Sequence, residues 1–130
     1  GERAIEYFDR AVAMEPRGFI GLRHAGIRAF LKGESNEGLG AIRQLEEANP
    51  SDSDSEHWYL IGNSFALLGD KGGCFRGLRK AIEGGFFNYP GMFKDPLLDS
   101  VRGDPEFQQL LAMAKGKHEA FKTKFFPHQP

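Results

Sequence analysis

Cysteine is nearly absent from this chain of 130 residues: Cys74 stands alone. A lone thiol excludes an internal disulfide and a multi-cysteine metal site, and it fits a reducing compartment, so a cytoplasmic location is the expectation. Long apolar runs are missing too. No stretch approaches the roughly 18 residues of a spanning helix, and the first residues lack the charged-then-apolar pattern of a signal peptide. An excess of either charge is also lacking, with 17 basic and 18 acidic side chains. No overall field therefore draws the protein to nucleic acid or an anionic membrane, and neither is expected as a partner. Glycine, in contrast, is abundant at 17 residues, against a usual share of about 7%. Several of these glycines fall inside helical periods, which together with the small size implies modest stability.

The chemistry of catalysis is sparse in the same way. His24, His57, His118 and His128 stand far apart without an i, i+4 partner, so neither a zinc nor a di-iron pattern is present. Ser64 lies in Gly62-Asn63-Ser64 and not in a nucleophile elbow, and Cys74 occupies a small packing position where burial makes it inert. Gly38-Leu39-Gly40 and Gly72-Gly73 follow no strand, which argues against a phosphate-cradling loop. The acidic residues around Asp52 and Asp54 lack the central glycine and the final glutamate of a calcium loop. Glu46 and Glu47 are adjacent on a helix and diverge. With no acid, base and nucleophile converging, the chain is expected not to be an enzyme and to need no metal or cofactor.

What is present is a repeat. Pro50 falls 34 residues after Pro16, and the same offset carries Ala4 to Gly38, Phe8 to Ile42 and Ala11 to Leu45. At an offset of 36, Gly26 and Gly33 recur as Gly62 and Gly69, and Gly38, Ile42 and Leu45 recur as Cys74, Leu78 and Ala81. A period near 34 built of two short helices is the signature of stacked helix hairpins. The expected units are a half repeat over residues 1–18, repeats over 19–52 and 53–86, and a cap loop with a C-terminal helix over 87–130.

Within this register, Ile5, Phe8 and Val12 form one helical stripe, stopped by Pro16. That helix has no partner before it, so the natural protein is expected to continue upstream of Gly1, and the uncovered stripe to support a weak homodimer through the N-terminal helix. The second helix, Phe19 to Leu31, places Leu22, Ala25, Gly26, Ala29 and Phe30 inward and ends at Gly33. Ser35 is expected to cap the third, with Leu39, Ile42 and Leu45 inward, and Ser53-Asp54-Ser55-Glu56 reads as a capping box for the fourth. Gly26 and Gly38 let two axes approach closely; an exposed helical Gly40 costs about 0.5–1 kcal/mol. Trp58, Ile61, Gly62 and Phe65 face Cys74, Leu78, Ala81 and Ile82 across a turn at Gly69-Asp70, and Gly84-Gly85 ends the second pair. Phe87-Asn88-Tyr89-Pro90 is expected to open an aromatic loop. Asp95-Pro96 and Asp104-Pro105 each set an N-cap acid before an N1 proline, and the last helix carries Phe107, Leu110, Leu111, Ala114, His118, Phe121 and Phe125 on one stripe that should seal the array. Its basic end, Lys115, Lys117, Lys122 and Lys124, suits the helix dipole.

Trp58, Ile61, Gly62, Phe65, Cys74, Leu78 and Ala81 resemble the tetratricopeptide (TPR) pattern W, L, G, Y, A, F and A at its standard spacing. Leu22, Gly26, Gly38, Ile42 and Pro50 resemble it in the unit before. The fold this implies is all-α: a right-handed α-solenoid of antiparallel helix hairpins with a C-terminal capping helix. The function implied is a non-catalytic protein-protein interaction scaffold that binds a peptide or partner protein on its concave face. By resemblance that face is lined by Ile20, Arg23, Ile27 and Leu31 in one unit and Glu56, Tyr59, Asn63 and Leu67 in the next. Arg23 and Ile27 depart from the paired lysine and asparagine of members that clamp a C-terminal carboxylate. The tail from Asn88 to Phe107 is similar to the end of TPR regions in multidomain bacterial signalling proteins. This implies, as an alternative, a regulatory or self-association tail of a cyclase, kinase or transcription regulator.

Overall fold

The computed structural model describes residues 2–6 and 18–128. Residues 2–6 are helical (α1). They are followed by α2 (Phe19–Leu31), α3 (Ser35–Ala48), α4 (Ser55–Leu67), α5 (Lys71–Glu83), the short α6 (Tyr89–Lys94), a 3-10 helix (Pro96–Val101) and α7 (Pro105–Phe125). The described residues contain no strand, and the chain is all-helical. Of the stripe expected on the first helix only Ile5 is described; Phe8, Ala11, Val12 and Pro16 lie outside the described residues.

Two pairs dominate the packing, α2 with α3 and α4 with α5. Each closes in the same way. Gly33 and Gly69 adopt φ of 77° and 86°, where an L side chain is strained. The residue after each then returns its N–H to the last turn, Glu34 to the Ala29 carbonyl at 2.8 Å and Asp70 to the Phe65 carbonyl at 2.9 Å. These are Schellman closures, which satisfy carbonyls a helix end would otherwise leave bare. Gly85, at φ 108°, closes α5 with the same geometry, Phe86 N–H donating to Ala81 at 2.8 Å.

Close approach within each pair depends on missing side chains. A Cβ at Gly26 would stand 2.6 Å from Ile42 Cδ1, and one at Gly38 would stand 2.9 Å from the Gly26 carbonyl oxygen. In the second pair a Cβ at Gly77 would meet the backbone of Gly62 at 2.7 Å and the Trp58 carbonyl at 2.8 Å. Gly40 has nothing within 4 Å, as an exposed helical glycine should.

Three expected starts are corrected. Ser35 is not a cap: the three-residue turn puts Glu34 at the boundary, without a side-chain cap, and Ser35 already lies in the first turn of α3. The capping box does not form either. Asp54 is the N-cap of α4, accepting from Glu56 N–H at 2.8 Å, while the Ser53 hydroxyl is taken by Asn49 Nδ2 at 2.8 Å. The expected aromatic loop is in part the helix α6, capped by Asn88, which accepts from Gly91 N–H at 3.1 Å.

The core centres on α4, where Trp58, Tyr59 and the run from Ile61 to Ala66 are buried. The 3-10 helix packs on α4 with Leu98 and Val101 fully buried, and α7 packs on α5 and α6. The seal by α7 is incomplete. Phe107, Leu110, Leu111 and Ala114 are buried, but the helix outruns the body, so Phe121 and Phe125 stand exposed.

Candidate binding groove

Ile20, Arg23, Ile27 and Leu31 recur at three and four along α2, and Glu56, Tyr59, Asn63 and Leu67 do so along α4, so each set occupies one helical face. Ile20 is 59% exposed and Leu31 is exposed as well, whereas Arg23 and Ile27 are half-buried. On α4, Glu56 is exposed and Leu67 half-buried, but Tyr59 and Asn63 are buried. What covers them is the chain's own cap. Asp95 Oδ2 accepts from Tyr59 O–H at 2.6 Å and from Asn63 Nδ2 at 3.1 Å. Its other oxygen accepts from Leu97 N–H at 2.9 Å and starts the 3-10 helix. The Tyr59 ring also stacks on Phe86 with centroids 4.4 Å apart.

From Asp95 the polar line continues to α2. Arg23 Nη2 donates to Asn63 Oδ1 at 3.2 Å and Nε donates to Ser64 Oγ at 3.1 Å. The Ser64 hydroxyl in turn donates to the Leu60 carbonyl at 2.7 Å. This chain of bonds satisfies polar groups that burial would otherwise penalise. Arg102 fastens the far end, donating from Nη2 to the Asp95 carbonyl at 2.5 Å, from Nη1 to the Phe93 carbonyl at 2.5 Å and from Nε to Asp99 at 2.8 Å.

The charges respond to this enclosure. Burial pushes the Tyr59 phenol well above its ordinary range, and the hydrogen bond to Asp95 raises it further. Burial lowers Arg23, with Asp95 opposing. His24 is lowered by burial first and by Arg23 second, so its neutral form is favoured.

The structure thus divides the sequence-predicted groove. Tyr59 and Asn63 hold the cap segment, while Ile20, Arg23 and Glu56 line an open cleft of about 250 Å³ between α2 and α4. Phe19, His24, His57 and Leu60 complete that cleft, with Phe19 and His57 stacked at 4.3 Å. Arg23 Nη1 makes no hydrogen bond among the described residues. Ile27, Leu31 and Leu67 lie outside the cleft lining. Sequence reasoning missed Asp95 as a groove residue, because Asp95-Pro96 reads completely as a cap and its second oxygen has no separate signature.

No metal-ligating group of three His, Cys, Asp or Glu side chains occurs among the described residues, and no described helix is long and apolar enough to cross a membrane. No family model, curated protein or solved structure matches the chain.

Proposed function

We propose that the chain is a TPR-like right-handed solenoid of helix pairs serving as a non-catalytic, cytoplasmic protein-binding scaffold, with the open half of the α2–α4 groove as its peptide site. Support for the repeat comes from the two pairs. Both begin at the same 36-residue offset, both use three-residue turns closed by a left-handed glycine, and Trp58, Ile61, Gly62, Phe65, Cys74, Leu78 and Ala81 are all buried.

One observation carries the site. An exposed Ile20 stands beside Arg23, whose guanidinium is positioned by Asn63 and Ser64 yet keeps Nη1 in reserve, on the wall of a 250 Å³ cleft. An apolar contact next to a pre-oriented donor is the arrangement that selects a peptide carrying an apolar residue beside a carbonyl or carboxylate. Tyr59 and Asn63 act as the floor that aims Arg23.

Selection of a random peptide library on the immobilised chain tests this. Enriched peptides should lose at least about tenfold in affinity for Ile20→Asp and for Arg23→Glu, the usual scale for removing a central contact. Peptides that bind wild type and both variants equally would place recognition elsewhere.

A further inference from the structure

We propose that the C-terminal half of α7 is a self-association surface that pairs two copies of the chain about a two-fold axis, at a site that shares only Glu56 with the lining of the peptide cleft. The observation is an aromatic stripe left uncovered where α7 outruns the body. Phe121 is 42% exposed, Phe125 55% and Phe126 48%. The rings are already clustered: Phe121 lies 5.7 Å from Phe87, 4.7 Å from Phe125 and 6.3 Å from Phe126. A patch assembled in advance loses little side-chain freedom on contact, and aromatic rings dominate interface energetics. Beside it lies a cleft of about 420 Å³ whose lining includes Phe86, Phe87, His118 and Phe121 together with Asp54 and Glu56.

Charge identifies the occupant. Lysines 115, 117, 122 and 124 flank the stripe on α7 against a single acid, Glu119. Lys117 is committed to the Ile82 carbonyl at 3.0 Å, where it caps α5, but Lys122 and Lys124 enter no ion pair among the described residues. A ridge that is aromatic and basic thus adjoins a cleft that is aromatic and acidic, on one chain. A self-complementary patch of this kind is what an isologous contact requires: the ridge of each copy, with Phe125 leading, enters the cleft of the other, and Lys122 and Lys124 face the partner subunit's Glu56. An anionic membrane surface suits the ridge alone and is opposed by Asp54 and Glu56 in the cleft wall.

Sedimentation equilibrium from micromolar to millimolar concentration provides the test. Wild type should dimerise reversibly and less tightly at high salt, because exposed charges are screened. Phe125→Asp, at an exposed position, should weaken the dimer at least about tenfold with unchanged helix content. Glu56→Lys and the double variant Lys122→Glu, Lys124→Glu should each weaken self-association, and an equimolar mixture of the two should restore it, since only the mixed pair is complementary at both contacts. A wild type that stays monomeric at millimolar concentration overturns the proposal. So does association that survives Phe125→Asp, a mixture no better than its components, or binding to anionic vesicles by a chain that does not self-associate.

Discussion

Asp95 carries more of this molecule than a capping residue usually does, since one oxygen begins the 3-10 helix and the other closes the groove floor against Tyr59 and Asn63. Tyr59→Phe keeps the ring on Phe86 and removes only the hydroxyl that bonds Asp95 at 2.6 Å. It should lower unfolding stability by about 1.5–3 kcal/mol, the range for a buried bond to a charged group, as measured by denaturant unfolding. A loss below a few tenths would mean that water replaces the hydroxyl. Cys74 yields a second expectation. Burial pushes its thiol up to about 12, so between the ordinary thiol value near 8.5 and that figure the folded chain holds a proton that the unfolded chain has released. Stability contributed by the neutral thiol is intact below the unfolded value and is lost as pH rises towards the folded one. Unfolding free energy should therefore fall more steeply across this alkaline window in wild type than in Cys74→Ala, and equal slopes would contradict it. At this scale the burial of Cys74 was legible from its packing position, while the placing of Arg23, Tyr59 and Asn63 on one face came from the resemblance. The role of Asp95 was not legible, because it depends on where a distant segment folds back.

Helices and their ends were the most legible level, since periodicity, left-handed glycines and Asp-Pro starts are local signals. Gly33, Gly69 and Gly85 close helices as their positions suggested, and Asp95 and Asp104 cap as expected. What failed was a choice among neighbours: Ser53 or Asp54, Ser35 or Glu34. At α4 the Asp54 side chain takes the backbone donor, and at α3 the turn length sets the boundary at Glu34, which caps with no side chain. The packing role of Gly73 and Gly77 also went unread, although their i, i+4 spacing puts two small residues on the face of α5 that meets α4. Gly77→Ala should cost about 1–3 kcal/mol, because its Cβ would strike rigid backbone at Gly62 and Trp58, and the helices must part. Gly40→Ala meets nothing and should gain about 0.5–1 kcal/mol. Opposite signs in thermal unfolding check the pair together; a destabilising Gly40→Ala would mean an unseen contact. Trp58→Ala should cost about 3–5 kcal/mol. The loss is one of packing and of the cation–π contact with Lys80, which lies 4.2 Å over the ring, since the indole Nε1 has no hydrogen-bond partner among the described residues.

At the scale of the whole molecule, the core formed by the described residues is lopsided. Leu22, Ala29, Ile42 and Leu45 are the buried apolar side chains of α2 and α3 among the described residues, four of twenty-two; the rest lie from Trp58 onward. Two packed helix pairs draw stability from each pair and from the interface between them, so a thinly buried pair opens first unless that interface holds it. Here the interface includes polar clamps. Arg23 bonds Asn63 and Ser64, and Glu46 on α3 takes Arg76 of α5 through two bonds of 3.0 Å. Arg76 is largely exposed, which keeps its contribution small. The Arg23 bonds are more enclosed, and removing their donor strands buried acceptors. Native-state hydrogen exchange should therefore find the amides of α2 and α3 opening at lower free energy than those of α4 and α5, which should exchange only with global unfolding. Arg23→Ala should widen that gap, lowering protection in α2 and α3 while leaving α5 nearly unchanged. Equal protection along all four helices in wild type would show that the two pairs unfold as one unit, and would remove the polar line from Asp95 to Arg23 as the link that sets their coupling.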